Sequence, residues 1–245
     1  MQTGHVNSFQ IVSKTFNIGL TAERIRQILH ELGFRLLKPS HFFIKRDENE
    51  REEFVIRMKD VIQNLDDKTE LLFQDESIFK QHPILMAMWA LKGIRPQIPT
   101  YGNHARMGVF GVVSPLSGCM KHHLSNKVNA EEFLFFLEEL LKTYHDKKLI
   151  IILDNARWHK AKMLKEFLES NKHRLELIFL PVYSPDMNPI ELLWKEAKKT
   201  ITHNCFFFMI DSMADAINNF FKSMANFPEK VMQTCSLKSL GYLFG

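Results

Sequence analysis

Apolar positions recur every three to four residues early in the chain and later gather into short continuous runs. Residues 21–33, TAERIRQILHELG, put Ile25, Ile28, Leu29 and Leu32 on one face, which predicts a short amphipathic helix. Thr21 suits its N-cap and Gly33 its stop, while Arg24 and Arg26 fall mostly off the stripe. Residues 35–50 turn basic and then mixed, and Pro39 argues against a continuous helix there. A short wing or connector is predicted instead. Helical spacing returns over about 48–65 with Phe54, Met58, Val61, Ile62 and Leu65. A boundary between an appendage and a main domain therefore falls within about 45–68.

The pattern then changes period. Glu70–Gln74 reads as a strand running into Asp75, residues 106–113 as a second strand, and 119–125 as a third, joined to the second through the turn residues 114–118. Residues 89–99 are loop with at most a short strand. Asn129 opens a helix reaching about Tyr144, and Asn129 with Glu132 has capping-box spacing. Leu149–Leu153 is a run of five apolar residues, the mark of a strand buried on both faces. A helix over about His159–Ser170, a strand over Leu175–Leu180, a loop, a helix from Asn188 and another near 211–227 follow, with an irregular tail. The order predicts an α/β domain, a mixed sheet with helices on its faces. No glycine-rich phosphate loop follows the first strand, so a doubly wound nucleotide fold is excluded.

Composition narrows the class. The chain has 245 residues, 45% apolar, with 21 Phe, enough for one large domain with a small appendage. Lys and Arg exceed Asp and Glu by 32 to 28, a net charge of +4 that permits a polyanionic partner without requiring one. Cys119, Cys205 and Cys235 are scattered and form no CxxC pair, which points to reduced thiols in a cytoplasmic protein rather than a zinc knuckle. No apolar stretch approaches a membrane span.

Three acids stand at strand or helix ends: Asp75, Asp154 and Glu191, separated by 154 − 75 = 79 and 191 − 154 = 37 residues. Ligand sites in α/β folds collect beyond the C-terminal ends of strands. Clustered carboxylates repel, and Mg²⁺ or Mn²⁺ relieves the repulsion; two such ions can clamp a phosphodiester. Each acid also has a structural reading. Asp154-Asn155 could be a capping turn, and Asn188, Pro189 and Glu191 have the spacing of N-cap, first helical position and capping box. Glu76 is the alternative to Asp75, and Asp186 is a further candidate. His159 could orient a phosphate or cap the next helix. Lys195, Lys198 and Lys199 share roughly one helix face, where they either meet DNA phosphates or pair with neighbours such as Glu191. Arg24 and Arg26 are either DNA-reading side chains of a helix-turn-helix or ordinary solvated arginines.

Three blocks carry a family resemblance: LLFQDES at 71–77, IIILDNARWHKAK at 150–162 and LIFLPVYSPDMNPIELLWKEAK at 177–198. Together they resemble the insertion-sequence transposases of the mariner-like DDE superfamily, with weaker support from 89–96 and 109–118. The resemblance spans about residues 20–225. It implies a ribonuclease-H-like mixed sheet with Asp75, Asp154 and Glu191 as metal-binding catalytic acids and two Mg²⁺ or Mn²⁺ ions. It also implies action on double-stranded DNA at terminal inverted repeats and target DNA, by a homodimer. Asn155, His159, Tyr183, Ser184, Pro185 and Asn188 match the family's surroundings of the site, and Asn155 and His159 join the DNA-binding candidates. The expected organisation is a partial helix-turn-helix or wing over 1–47, a linker helix over 48–68, a catalytic domain over 69–227 and a tail over 228–245. Family members usually begin with paired helix-turn-helix units, of which only the last helix and wing are expected here. A ribonuclease-H-like nuclease without integration, or an inactive DNA-binding remnant, are the competing expectations.

Overall fold

The structure is a computed structural model and describes residues 19–37, 44, 46–102 and 104–237. The chain divides into two compact units, Met1–Ile44 and Lys45–Gly245. In the smaller unit the predicted helix is present as α1 (Ala22–Glu31), with the Thr21 side chain accepting from the Arg24 amide. Gly33 follows with φ of 85°, a left-handed conformation that favours glycine. Ile25 is buried, whereas Leu29 and Leu32 are exposed. Arg26 pairs with Glu23 at 2.6 Å and Arg24 with Glu31 at 3.3 Å. Residues 38–43 and 45 of the predicted wing, the first 18 residues and residues 238–245 lie outside the described residues.

The larger unit opens with α2 (Glu48–Gln63), capped by Asp47. It continues through β1 (Thr69–Lys80), β2 (Arg106–Val113), β3 (Met120–Ser125), α3 (Ala130–Thr143), β4 (Lys148–Leu153), α4 (Leu164–Asn171), β5 (Leu175–Phe179), α5 (Ile190–Thr202), α6 (Ile210–Ala225) and α7 (Pro228–Thr234). The five strands form one sheet in the order β3-β2-β1-β4-β5. The β1–β2 and β2–β3 pairs are antiparallel, whereas β1–β4 and β4–β5 are parallel. This is the expected mixed sheet.

Side-chain alternation along the strands builds two cores. Leu71, Phe73 and Phe79 of β1 face α2, α5, α6 and α7, meeting Met58, Trp194, Ile217 and Val231. Leu72 of β1 faces α3 with Phe110, Phe133, Leu137 and Ile151. Among the described residues no helix is long and apolar enough to cross a membrane.

Several predicted boundaries move. The first strand does not stop at Gln74; it runs to Lys80, because β2 pairs with it from Phe73 through Lys80. The segment after Asp154 forms a 3₁₀ turn (Arg157–Lys160) before α4, where one helix was expected. The tail is not wholly irregular: Pro228 starts α7, whose Val231 is buried, followed by buried Cys235 and Leu237. Asn129 caps α3 as expected, but the Glu132 carboxylate meets His123 at 3.0 Å.

One glycine sets the gap between sheet and helix. Gly111 of β2 pairs with Asp75, and a Cβ built on it would lie 2.6 Å from the Trp194 ring and 3.2 Å from Ile190. Trp194 is buried and rigid, so Gly111→Ala must push α5 off the sheet. The expected cost is about 1–3 kcal/mol in urea unfolding. An unchanged midpoint would contradict the close approach.

Candidate active site

β1 and β4 run parallel and end their mutual pairing at Phe73 and Ile152. Asp75 and Asp154 each lie two residues beyond that pair, so the register brings both acids to the same end of the sheet. Asp75 stays inside β1 because the antiparallel partner β2 continues past it, while Asp154 follows the last residue of β4. Glu191 sits in the first turn of α5. Three residues on, Trp194 donates its indole N–H to Asp75 Oδ2 at 3.0 Å. Residues three apart share a helix face, so Glu191 lies on the face turned toward Asp75.

The electrostatics agree with this convergence. Burial, then the charges of Glu191, Glu76 and Asp154, push the Asp75 carboxyl up to about 8. Glu191 is also raised, by burial and by Asp154, with Lys198 opposing. The capping-box reading of Glu191 does not hold. The Asn188 half of the box is present: its Oδ1 accepts from the Ile190 amide at 3.4 Å while its Nδ2 donates to the Gln74 carbonyl at 2.9 Å, but no hydrogen bond or ion pair engages the Glu191 carboxylate among the described residues. Lys195 makes no i,i+4 pair with it; Lys199 approaches Glu196 at 3.9 Å, and the Lys198 ammonium stands over the Phe79 ring.

His159 neither caps a helix nor faces outward. It is 1% exposed and lies against Phe133 with ring centroids 4.4 Å apart. Its Nδ1 meets Asp154 Oδ1 at 3.0 Å and its Nε2 meets Glu76 Oε1 at 2.9 Å. Burial opposes protonation, but the two carboxylates outweigh it and raise the imidazole to about 9. Near neutral pH both nitrogens therefore donate. In return, Asp154 is held below its ordinary range by the His159 and Ala156 bonds, against the effect of burial. Glu76 lies on the opposite face of β1 from Asp75, and its Oε1 also accepts from Gln74 Nε2 at 3.0 Å. That removes it as a substitute for Asp75. Asp186 is likewise committed elsewhere, since Arg51 grips it with two bonds of 3.0 and 2.8 Å. Asn155 bridges the Leu180 carbonyl and Lys160, so its side chain braces the loop.

The sequence did not mark Trp194, Arg51 or the Glu76–His159 clamp as site components. The available signals were positional: Trp194 follows Glu191 by three, Glu76 adjoins Asp75, and His159 follows Asp154 by five.

With this geometry in view, comparison with known proteins identifies the family. The family model for the DDE superfamily endonuclease matches residues 70–213, which hold all three acids and most of the sheet. The chain belongs to the DDE superfamily endonucleases. A winged helix-turn-helix model matches residues 9–57. A relative from Shigella sonnei, the insertion element IS630 uncharacterized 39 kDa protein, is 27% identical over 159 residues, 64% of this chain and 46% of its own length. The match thus spans under half of that relative. An uncharacterized protein of Sinorhizobium fredii is 26% identical over 125 residues, 51% of this chain and 89% of its own length. Among solved structures, the Mos1 mariner paired end complex with Mn has a TM-score of 0.66 at 15% identity, covering 97% of this chain and 75% of that one. The Mos1 catalytic domain has a TM-score of 0.55 at 15% identity, covering 85% of this chain and all of that one. These likenesses give the DDE endonuclease its ribonuclease-H-like fold, and residues 70–213 are its DDE endonuclease domain.

Membership of this family implies a divalent metal. The donor set fits one: three carboxylates at one end of the sheet offer hard oxygen ligands, and their mutual repulsion is what a cation removes. Among the described residues no three His, Cys, Asp or Glu side chains are drawn together into a closed metal-binding group. Trp194 engages one oxygen of Asp75 and His159 one oxygen of Asp154.

A pH dependence follows for the metal-free chain. The Asp75 carboxyl titrates near 8 folded against 3.8 ordinarily, so the folded form keeps a proton that the unfolded form releases. Stability therefore falls as pH rises from about 4 to about 8. His159, raised to about 9, adds a loss of the same sign between 6.5 and 9. Thermal melts of D75N should lack the lower part of this fall and keep the upper. Parallel curves for the two proteins would contradict the assignment.

Proposed function

We propose that the chain cuts DNA at the ends of a transposable element and joins the freed 3′ ends to target DNA, with Asp75, Asp154 and Glu191 as the acids that hold two Mg²⁺ or Mn²⁺ ions. The observation that carries this reading is the placement of three carboxylates at one end of the parallel strand pair, Asp75 raised by burial and by Glu191 and Glu191 raised by burial and by Asp154. When bound, the ions would make water or a 3′-OH a better nucleophile and offset charge on the leaving oxygen. The protein's own residues orient the acids. Trp194 fixes one oxygen of Asp75, and protonated His159 fixes one oxygen of Asp154, leaving the other oxygen of each for a ligand. In the first step water attacks the phosphorus at the element's end and the P–O3′ bond breaks, releasing a 3′-OH. In the second that hydroxyl attacks a target phosphodiester and displaces another 3′-OH. Neither step requires a covalent bond to the protein.

Double-stranded DNA would be held by the exposed cations on and near the site, with Lys195 and Lys199 as candidates on α5 and Lys198 beside Glu191. Arg24 and Arg26 are candidates within the winged helix-turn-helix match. Their pairing with Glu31 and Glu23 is surface-exposed and weak enough to exchange for phosphates. Two copies would bring two element ends together.

The test uses the full chain with Mg²⁺ or Mn²⁺ and DNA bearing the terminal repeats from its own genomic flanks. Cleavage at the repeat ends together with joined products is expected. Cleavage without joining would make it a nuclease, and DNA binding without cleavage an inactive remnant.

A further inference from the structure

The loop that delivers Glu191 is held at two points. Asn188 is buried and donates to the Gln74 carbonyl of β1 at 2.9 Å. Asp186, in the 3₁₀ turn Pro185–Met187, is gripped by Arg51 of α2. Arg51 is 2% exposed, an unusual position for an arginine on the first turns of a helix. Its Nη1 donates to Asp186 Oδ1 at 3.0 Å and its Nη2 to Oδ2 at 2.8 Å, the two-pronged geometry that a lysine could not supply. Between Asp186 and Glu191, Met187 and Ile190 are buried, so a shift at Asp186 has little slack to dissipate in. The loop also carries strain. Tyr183 has φ of 58°, a left-handed conformation that is unfavourable for an aromatic residue and persists only where neighbours enforce it. The first turn of α5 is capped from this same loop, Asn188 Oδ1 accepting from the Ile190 amide at 3.4 Å. Its order at Glu191 thus depends on how the preceding loop is anchored.

We infer that the Arg51–Asp186 pair is a positioning device for Glu191: it ties α2 to the loop and thereby sets where the third acid stands relative to Asp75 and Asp154. The inference rests on the reading of Glu191 as a metal ligand. Asp186 is no ligand in this account; its carboxylate acts through the backbone of residues 186–191. It also gives a buried arginine on α2 a role that core packing alone does not require, since an apolar side chain of similar volume would fill the same space.

The experiment measures Mn²⁺ binding to the full chain by the electron paramagnetic resonance of the free ion, for the wild type, R51M, D186N and E191Q. The Mg²⁺ dependence of cleavage is followed in parallel. R51M keeps volume and removes the buried charge together with the grip, so it is expected to fold even if D186N, which takes the two-pronged partner from a buried arginine, does not. Both variants should bind Mn²⁺ about tenfold more weakly or worse. The Mg²⁺ concentration for half-maximal rate should rise by a similar factor, with most of the rate regained at saturating metal. If R51M and any folded D186N melt earlier yet bind Mn²⁺ as the wild type does, with unchanged half-saturation, the pair is only a structural tie and the inference falls. If the wild type binds Mn²⁺ no better than E191Q, the reading of Glu191 as a ligand has itself failed, and the positioning role fails with it.

Discussion

Replacing Glu191 by Gln is expected to cripple DNA cleavage while leaving the chain folded. The carboxylate has no hydrogen-bond or ion-pair partner among the described residues, and its proton affinity is raised by burial and by Asp154. Removing that charge relieves repulsion, so the melting temperature of the metal-free protein should hold or rise. The chemical effect runs the other way. Metal-assisted stabilisation of a phosphodiester transition state is worth several kcal/mol, and each 1.4 kcal/mol is tenfold in rate. A loss of about a thousandfold or more in single-turnover cleavage is therefore expected. Glu196→Gln, on the same helix, removes an equal charge away from the site and should change the rate by less than about tenfold. Comparable losses in the two variants would mean that Glu191 acts only through the overall field of the helix.

The second large effect concerns stability. His159→Leu removes the imidazolium that joins Glu76 to Asp154 and leaves the Glu76 side chain, 6% exposed, without its charged partner. Breaking a buried ion pair from one side costs about 3–5 kcal/mol, because the remaining charge stays buried. For a chain of this size that is on the order of 10 °C in melting temperature. Removing both charges in a Glu76→Leu/His159→Leu double variant should recover much of the loss. Asp154 would still lack its clamp, so cleavage should stay impaired in the double variant even as stability returns. That split separates the structural role of Glu76 from the orienting role of His159. A single variant as stable as the wild type would contradict the buried clamp.

Much of this architecture was legible in the sequence because it depends on local pattern. The apolar run Leu149–Leu153 can only be a strand covered on both faces, and it leads straight into Asp154. Asn129 marks the start of α3, and the block around Asn188 marks the start of α5. Features set by distant partners were not legible. Asp75 lies inside β1 rather than at its end because β2 pairs beyond the point where β4 stops, a register that short-range periodicity does not encode. Nothing near Arg51 in the chain predicts its burial, since Asp186 is 135 residues away. His159 was open between two outward roles, and its inward one depends on Glu76, 83 residues upstream. The tail helix was missed because Pro228 reads equally as a stop or as a first helical residue. Its buried Val231 decides between them only once the core is formed.

The central claim is that Asp75, Asp154 and Glu191 close on divalent metal. The most direct test is a crystal of the full chain soaked in Mn²⁺ at a concentration that supports cleavage, with the ions located by anomalous scattering. The account predicts manganese within ligand distance of Asp75 and Asp154, with Glu191 turned in to complete the site, and no such ion in E191Q with Asp154 replaced by Asn. Manganese bound only elsewhere, or the three carboxylates remaining apart in an active wild-type crystal, would contradict it.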